Sequence, residues 1–173
     1  MIESILTMFG VGKSKKAPGT MASLVTVIIW LIFNVVFDFF GFDLMTQNIL
    51  WLLICVIVTA FAIITMPLYN ERVREVDHSS IVIDEFVGQI LTLIIAYPAI
   101  GGALSKRADF SDIIIFSLAA FALFRFFDIR KPSVIGWLDR HLKTPFGVML
   151  DDILAGIFSA IIILLMTWIS RGL

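Results

Sequence analysis

Charge is what this chain of 173 residues has least of. Asp, Glu, Lys and Arg make up 16% of it, against about 25% in an ordinary soluble domain. Cysteine occurs once, as Cys55 inside an apolar run. That excludes an intrachain disulfide and a Cys-rich metal site, and with no Cys-x5-Arg pocket it excludes a thiolate phosphatase. The two histidines, His78 and His141, stand apart from each other. Paired-His zinc sites and the Lys/Arg…His constellation of histidine-nucleophile lipid phosphatases are therefore absent. The lysines near the N-terminus do not have Walker spacing. Long β-alternation is missing too, so a spanning barrel is excluded and a helical bundle is the remaining way to cross a bilayer. The net charge of −1 argues against a general nucleic-acid binder. The opening MIESILTMFGVGKSKK lacks the apolar core and small-residue site of a cleaved signal peptide.

What is present is apolar: 60% of residues, with a mean hydropathy of +1.01. The excess lies in long charge-free runs, which predict a single-domain, all-α integral membrane protein of about five helices. The runs cover residues 17–37, 44–70, 86–105, 113–124 and 153–170. The fourth is too short to span unless its helix continues through Arg125 and Asp128. Residues 1–9 suit an interfacial helical turn. Ala17-Pro18-Gly19-Thr20 introduces the first span, with Thr20 or Ser23 as the expected cap. Trp51 and Tyr69 sit near the ends of the second, as interfacial aromatics do. Residues 130–147 read as a long polar stretch broken by Pro132 and Pro145.

Placing the N-terminus in the cytoplasm puts ten of the thirteen Lys and Arg on that side, all but Lys106, Arg107 and Arg171. This is the positive-inside bias. The same alternation brings IVIDEFVG (residues 81–88), Arg125 to Asp128 and Asp151-Asp152 to one face.

That face carries the chemistry. Asp84, Glu85, Asp128, Asp151 and Asp152 gather there, with Asp77 and Asp139 nearby in sequence. Several carboxylates in one place repel unless a cation joins them, and Mg²⁺ accepts carboxylates together with substrate phosphate. Adjacent helical residues point about 100° apart, so Asp84 and Glu85 are expected to do different jobs, with the metal given to Asp84. The plainer reading is that acidic residues favour helix starts for electrostatic reasons. IDEFVGQILTLII and LDDILAGIFSAIII look alike, each with Gly four residues after a carboxylate (Asp84 with Gly88, Asp152 with Gly156). Those glycines allow close helix approach. Lys13, Lys15 and Lys16 flank a helix start suited to phosphate. Arg125, Arg130, Lys131, Arg140 and Lys143 suit phosphate or anionic headgroups, although the positive-inside rule alone accounts for most of them.

Three blocks resemble the phosphatidylglycerophosphatase A family of bacterial lipid phosphatases: GKSKKAPGTMASL (12–24), DHSSIVIDEFVGQ (77–89), and FRFFDIRKPSVIGWLDRHL with GVMLDDILAGIFSA (124–160). With the apolar runs between them, the likeness covers nearly the whole chain. Ala22 stands where Gly is expected and Lys15 where Pro is common. The resemblance implies a Mg²⁺-dependent enzyme of the bacterial inner membrane, facing the cytoplasm, that converts phosphatidylglycerol phosphate to phosphatidylglycerol. By motif position it places functional acidic residues at Asp84, Glu85, Asp128, Asp139, Asp151 and Asp152. The corresponding basic or polar residues are Ser14, Thr20, Ser23, Arg125, Lys131 and Arg140.

The combined expectation assigns Asp84, Glu85, Asp128 and Asp152 to catalysis and Asp84, Glu85, Asp151 and Asp152 to the metal. Lys13, Ser14, Lys16, Thr20, Ser23, Arg125, Lys131 and Arg140 are assigned to phosphate. The nucleophile is a water activated at the metal or one of the aspartates; water is favoured because no aspartate lies in a known phospho-acceptor motif. A CDP-alcohol phosphatidyltransferase is the alternative enzyme, but its DG-x2-AR…G-x3-D-x3-D pattern is missing. A small ion transporter would need carboxylates at mid-membrane depth. The sequence leaves the oligomeric state open.

Overall fold

The structure, a computed structural model, describes residues 1–73, 80–103 and 110–172. Arg74, Asp77, His78, Lys106 and Arg107, all features of the expected polar links, lie outside the described residues. The described chain is helical, with no strand among the described residues. Five long helices correspond to the five apolar runs: α2 (Pro18–Phe39), α3 (Leu44–Val73), α4 (Ile83–Ala103), α5 (Phe110–Arg130) and α7 (Pro145–Gly172). Two short ones flank them, α1 (Ile2–Leu6) and α6 (Val134–His141), with a 3-10 turn at Val11–Lys13.

Among the described residues, three helices are long and apolar enough to cross a membrane: Pro18–Phe39, Leu44–Glu71 and Pro145–Ser170. Only 28% of each apolar window is buried inside the protein, so most of that surface faces outward. Exposed Ile32, Val35, Leu53, Ile57, Leu165 and Trp168 fit a bilayer around the bundle. The fourth run does continue through Arg125 and Asp128, to Arg130.

Helix ends follow local chemistry, with three departures from expectation. Asp43 caps α3 by accepting a hydrogen bond from the Thr46 amide at 3.1 Å. At α2 neither Thr20 nor Ser23 caps. The N-cap is Ala17, held in a left-handed conformation (φ 47°, ψ 63°) with Pro18 following it. Ser23 instead donates to the Gly19 carbonyl at 2.9 Å, back along its own helix. The last helix starts at Pro145, not at the acidic pair. Thr144 precedes it and accepts a hydrogen bond from the Gly147 amide at 3.1 Å. Asp151 and Asp152 therefore lie inside α7, and a favourable helix-start position no longer explains them. Residues 130–147, read as a polar stretch, contain α6, which buries Ile135, Gly136 and Leu138.

α4 is the central element and packs on α2, α3, α5 and, most extensively, α7. In lipid, helix association draws on close packing and interhelical hydrogen bonds rather than on water expulsion. Gly88 and Gly156 supply both. A Cβ on Gly88 would lie 2.5 Å from the Asp152 carbonyl oxygen and 2.6 Å from a Phe124 ring carbon. A Cβ on Gly156 would run into the Gly88 carbonyl. Thr92 shares its hydroxyl proton between the carbonyls of Gly88 (3.0 Å) and Gly156 (3.2 Å), tying the two helices where they cross.

At the opposite end Trp30 packs edge-on against Tyr97, with ring centroids 5.1 Å apart. There Gln47 on α3 donates to the Asp38 carboxylate on α2 at 2.7 Å. Trp51 and Tyr69 are buried within the bundle rather than exposed on its surface. Trp51 packs on Phe33 and Phe37, and the Tyr69 hydroxyl lies 3.2 Å from the Ser80 hydroxyl. Hydropathy locates such residues along a helix but not around it. The N-terminal segment is held by the Val82 amide, which donates to the Leu6 carbonyl at 3.0 Å. This lays the lysine-bearing turn beside the start of α4.

Candidate active site

The start of α4 and the second turn of α7 bring Asp84, Glu85 and Asp152 together. One carboxylate oxygen from each lies within 4.8 Å of the others. The helix crossing at Gly88 and Gly156 produces this, because each glycine sits four residues, about one turn, beyond its carboxylate. The Cβ atoms of Asp84 and Glu85 diverge, yet the longer Glu85 side chain closes the gap, so both neighbours reach the same spot.

Asp84 Oδ1, Glu85 Oε2 and Asp152 Oδ2 are buried and lack a hydrogen-bond partner among the described residues. A buried carboxylate oxygen without a partner is costly, and three like charges this close repel one another. A divalent cation answers both problems, because hard oxygen ligands are what Mg²⁺ selects. A donor set of three carboxylates is chemically compatible with a hard divalent cation such as Mg²⁺.

A guanidinium stands beside the trio. Arg125 on α5 is paired with Asp128 three residues on, and its Nη1 lies 3.9 Å from Glu85 Oε1. Its Nε is buried and without a partner among the described residues. Asp128 thus faces Arg125 rather than joining the trio. Gly19, in the first turn of α2, abuts the same corner. A Cβ there would run into Glu85 Oε1 and lie 3.0 Å from Arg125 Nη1. Gly19→Ala is expected to cost about 10–100-fold in turnover by pushing Glu85 aside, since small misplacements are expensive in catalysis. Stability should stay within about 1 kcal/mol, because the clashing atom ends a flexible side chain. Kinetics and thermal unfolding of the one variant check both.

Lys131 is held in a second cluster. It donates to Asp139 at 2.7 Å and to Asp151. Asp151, assigned to the metal on sequence grounds, thus turns to Lys131 while Asp152 faces the trio. The backbone here is contorted: Lys131 and Ser133 have φ of 42° and 52° on either side of Pro132, in a region where non-glycine residues are rare and strained. Burial works against the Lys131 ammonium, but its hydrogen bonds to Asp139 and Asp151 prevail and hold its pKa above the ordinary range. The hydrogen bond from Lys131 in turn holds Asp139 below the usual carboxylate range. A lowered folded-state value means that Asp139 contributes stability above its unfolded pKa of about 4 and loses it as pH falls through the folded value. Lys131→Met should destabilise the protein by roughly 2–4 kcal/mol, because it strands the buried Asp151 carboxylate. Denaturation in detergent measures it, and the double variant Lys131→Met/Asp151→Asn should recover much of the loss.

The remaining phosphate candidates are dispersed. Lys13 is exposed and paired with Glu3 at 2.6 Å. Ser14 donates to the Lys16 carbonyl, and Lys16 is exposed. Thr20 is half-buried beside Gly19, Ser23 is fully buried, and Arg140 is exposed on α6. One residue escaped the sequence reading. Gln89 is fully buried one turn beyond Glu85, and both its amide atoms lack partners among the described residues. A lone amide within the otherwise apolar stretch of α4, four residues after a carboxylate, was the available signal.

Comparison with known proteins places the chain in a family. The family model for Phosphatidylglycerophosphatase A matches residues 4–167. A phosphatidylglycerophosphatase A of Haemophilus influenzae is 35% identical over 90% of this chain and 82% of its own length. One of Escherichia coli is 34% identical over 88% of this chain and 75% of its own. A Bacteroides thetaiotaomicron protein, provisionally named a phosphatidylinositol-3-phosphatase, is 35% identical over 94% of this chain and 91% of its own. No solved structure matches the chain significantly. With the match running through all three motif blocks and both walls of the carboxylate site, the chain belongs to the phosphatidylglycerophosphatase A family.

Proposed function

We propose that this chain is a Mg²⁺-dependent lipid phosphatase that converts phosphatidylglycerol phosphate to phosphatidylglycerol and phosphate. We place it in the bacterial inner membrane with its site toward the cytoplasm, where the Lys and Arg distribution supports that orientation. The observation that carries the reading is the trio of buried, partnerless carboxylate oxygens from Asp84, Glu85 and Asp152. It lies at one end of membrane-length helices, in a chain of this family.

Asp84, Glu85 and Asp152 would hold the cation, and Asp128 orients Arg125 beside them. A bound Mg²⁺ supplies charge neutralisation for a phosphoryl group. Arg125 adds charged donors for phosphate oxygens, since its Nε has no partner to give up. Water attacks phosphorus, the bond from phosphorus to the lipid's glycerol oxygen breaks, and that oxygen leaves as an alcohol after taking up a proton. Lys131, engaged by Asp139 and Asp151, braces the α5–α6 corner next to this site.

The name of the Bacteroides relative favours one further comparison, a phosphorylated inositol headgroup. Purified protein in mixed micelles with Mg²⁺ is expected to release phosphate from phosphatidylglycerol phosphate at least about tenfold faster than from phosphatidylinositol 3-phosphate. The reverse order would move the assignment to the inositol lipid, and release from neither would overturn it.

A further inference from the structure

Beneath the carboxylate trio an apolar groove of about 370 Å³ runs between α3, α4 and α7. We propose that this groove, reaching the site at Val87 and Ile153, receives an acyl chain of the phosphorylated lipid, a reading that rests on the lipid phosphatase assignment above.

The groove begins where the site ends. Ile153 is the residue after Asp152, and Val87 is three residues, nearly one turn, beyond Asp84. Its floor is buried Val87, Leu91 and Cys55, and the exposed side chains of Leu52, Val56 and Ala60 form its outer edge. On α3 it extends from Ile63 back to Leu52. At 1.5 Å per residue that is about 16 Å, close to half of the roughly 30 Å hydrocarbon core of a bilayer. The groove thus has the depth of one leaflet. Beyond that depth a separate apolar trough of about 570 Å³ adjoins it at Leu52 and Leu91 and ends near Leu44 and Pro98. A lipid whose phosphate sits at Asp84 and Asp152 would leave the headgroup heading down this channel. An acyl chain is apolar, and so is the lining apart from Thr59 and Asn48. Binding there would fix the phosphate laterally against the trio, which is how remote contacts aid reaction at a distant atom.

The test uses the full-length protein in bilayers and a phosphatidylglycerol phosphate carrying a photoreactive diazirine at mid-chain. Illumination should place adducts on α3 between Leu52 and Thr59 and on α4 near Leu91. Adducts spread over the outward faces of α2 and α7, at Ile32, Val35 and Leu165, would overturn the groove. A second arm fills the channel from its open edge with Ala60→Trp. The variant should raise KM for the diacyl substrate at least tenfold while leaving kcat/KM for the deacylated glycerophosphoglycerol phosphate within twofold. No change on either substrate, or an equal loss on both, would overturn it. If the unaltered protein releases phosphate from neither substrate, the activity assignment falls, and the adduct map still decides whether the groove holds a chain.

Discussion

Asp152→Asn and Asp84→Asn are each expected to lower phosphate release by roughly 1,000-fold or more, about 4 kcal/mol of barrier, while the protein still inserts and folds. The two residues come from different helices, and a carboxylate oxygen of each is buried without a partner among the described residues. Asn keeps the shape and removes the charge. Without a divalent cation, neutralising one of three crowded carboxylates relieves repulsion, so unfolding midpoints measured in chelator should match or exceed those of the unaltered protein. The stabilisation by added Mg²⁺ should shrink in both variants, because a ligand that binds only the folded state stabilises it by mass action. Loss of activity with unchanged metal-dependent stabilisation would remove these residues from the metal site and leave them a different role.

Gly156→Leu should cost roughly 2–4 kcal/mol of stability and most of the activity. The obstacle is backbone: the first side-chain atom would meet the Gly88 carbonyl, and the carbonyl cannot rotate away without breaking α4. Overfilling a tight contact typically costs 1–3 kcal/mol and more when backbone must move. The bond from Thr92 to the Gly156 carbonyl would be lost as well. Because α4 carries Asp84 and Glu85 and α7 carries Asp152, separating the helices separates the ligands. The same residue introduced on the outward face of α7, as Met166→Leu, should leave both readouts nearly unchanged. Thermal unfolding and turnover measured on the two variants together distinguish the crossing from general intolerance of α7.

The helices were legible because membrane spans need long charge-free runs, and five such runs stand out in this chain. The face bearing the site was legible because charges sit where helices leave the bilayer. What was not legible is how side chains turn about each helix. Asp151 and Asp152 are neighbours with the same chemistry, yet one meets Lys131 and the other meets Asp84 and Glu85. That division depends on the roll of α7 against α4, set by Gly88, Gly156 and Thr92. The start of α7 lies six residues before the acidic pair, because Thr144-Pro145 is itself a helix-start signal and the charges mark the site instead. α6 was hidden among prolines and charges, and its buried Ile135 and Leu138 are too few to stand out as a periodic pattern. Gly19 was noted as a helix-opening residue. Its second role, making room for the Glu85 carboxylate, belongs to tertiary packing alone.

On the proposed function, Asp84, Glu85 and Asp152 hold a divalent cation on which release of phosphate from the lipid depends. The most direct measurement is phosphate release from phosphatidylglycerol phosphate by the purified protein, first with chelator and then with Mg²⁺ restored in excess. Chelation is expected to reduce release to background, and Mg²⁺ to restore it in the unaltered protein but not in Asp152→Asn. Release that continues undiminished in chelator would contradict it.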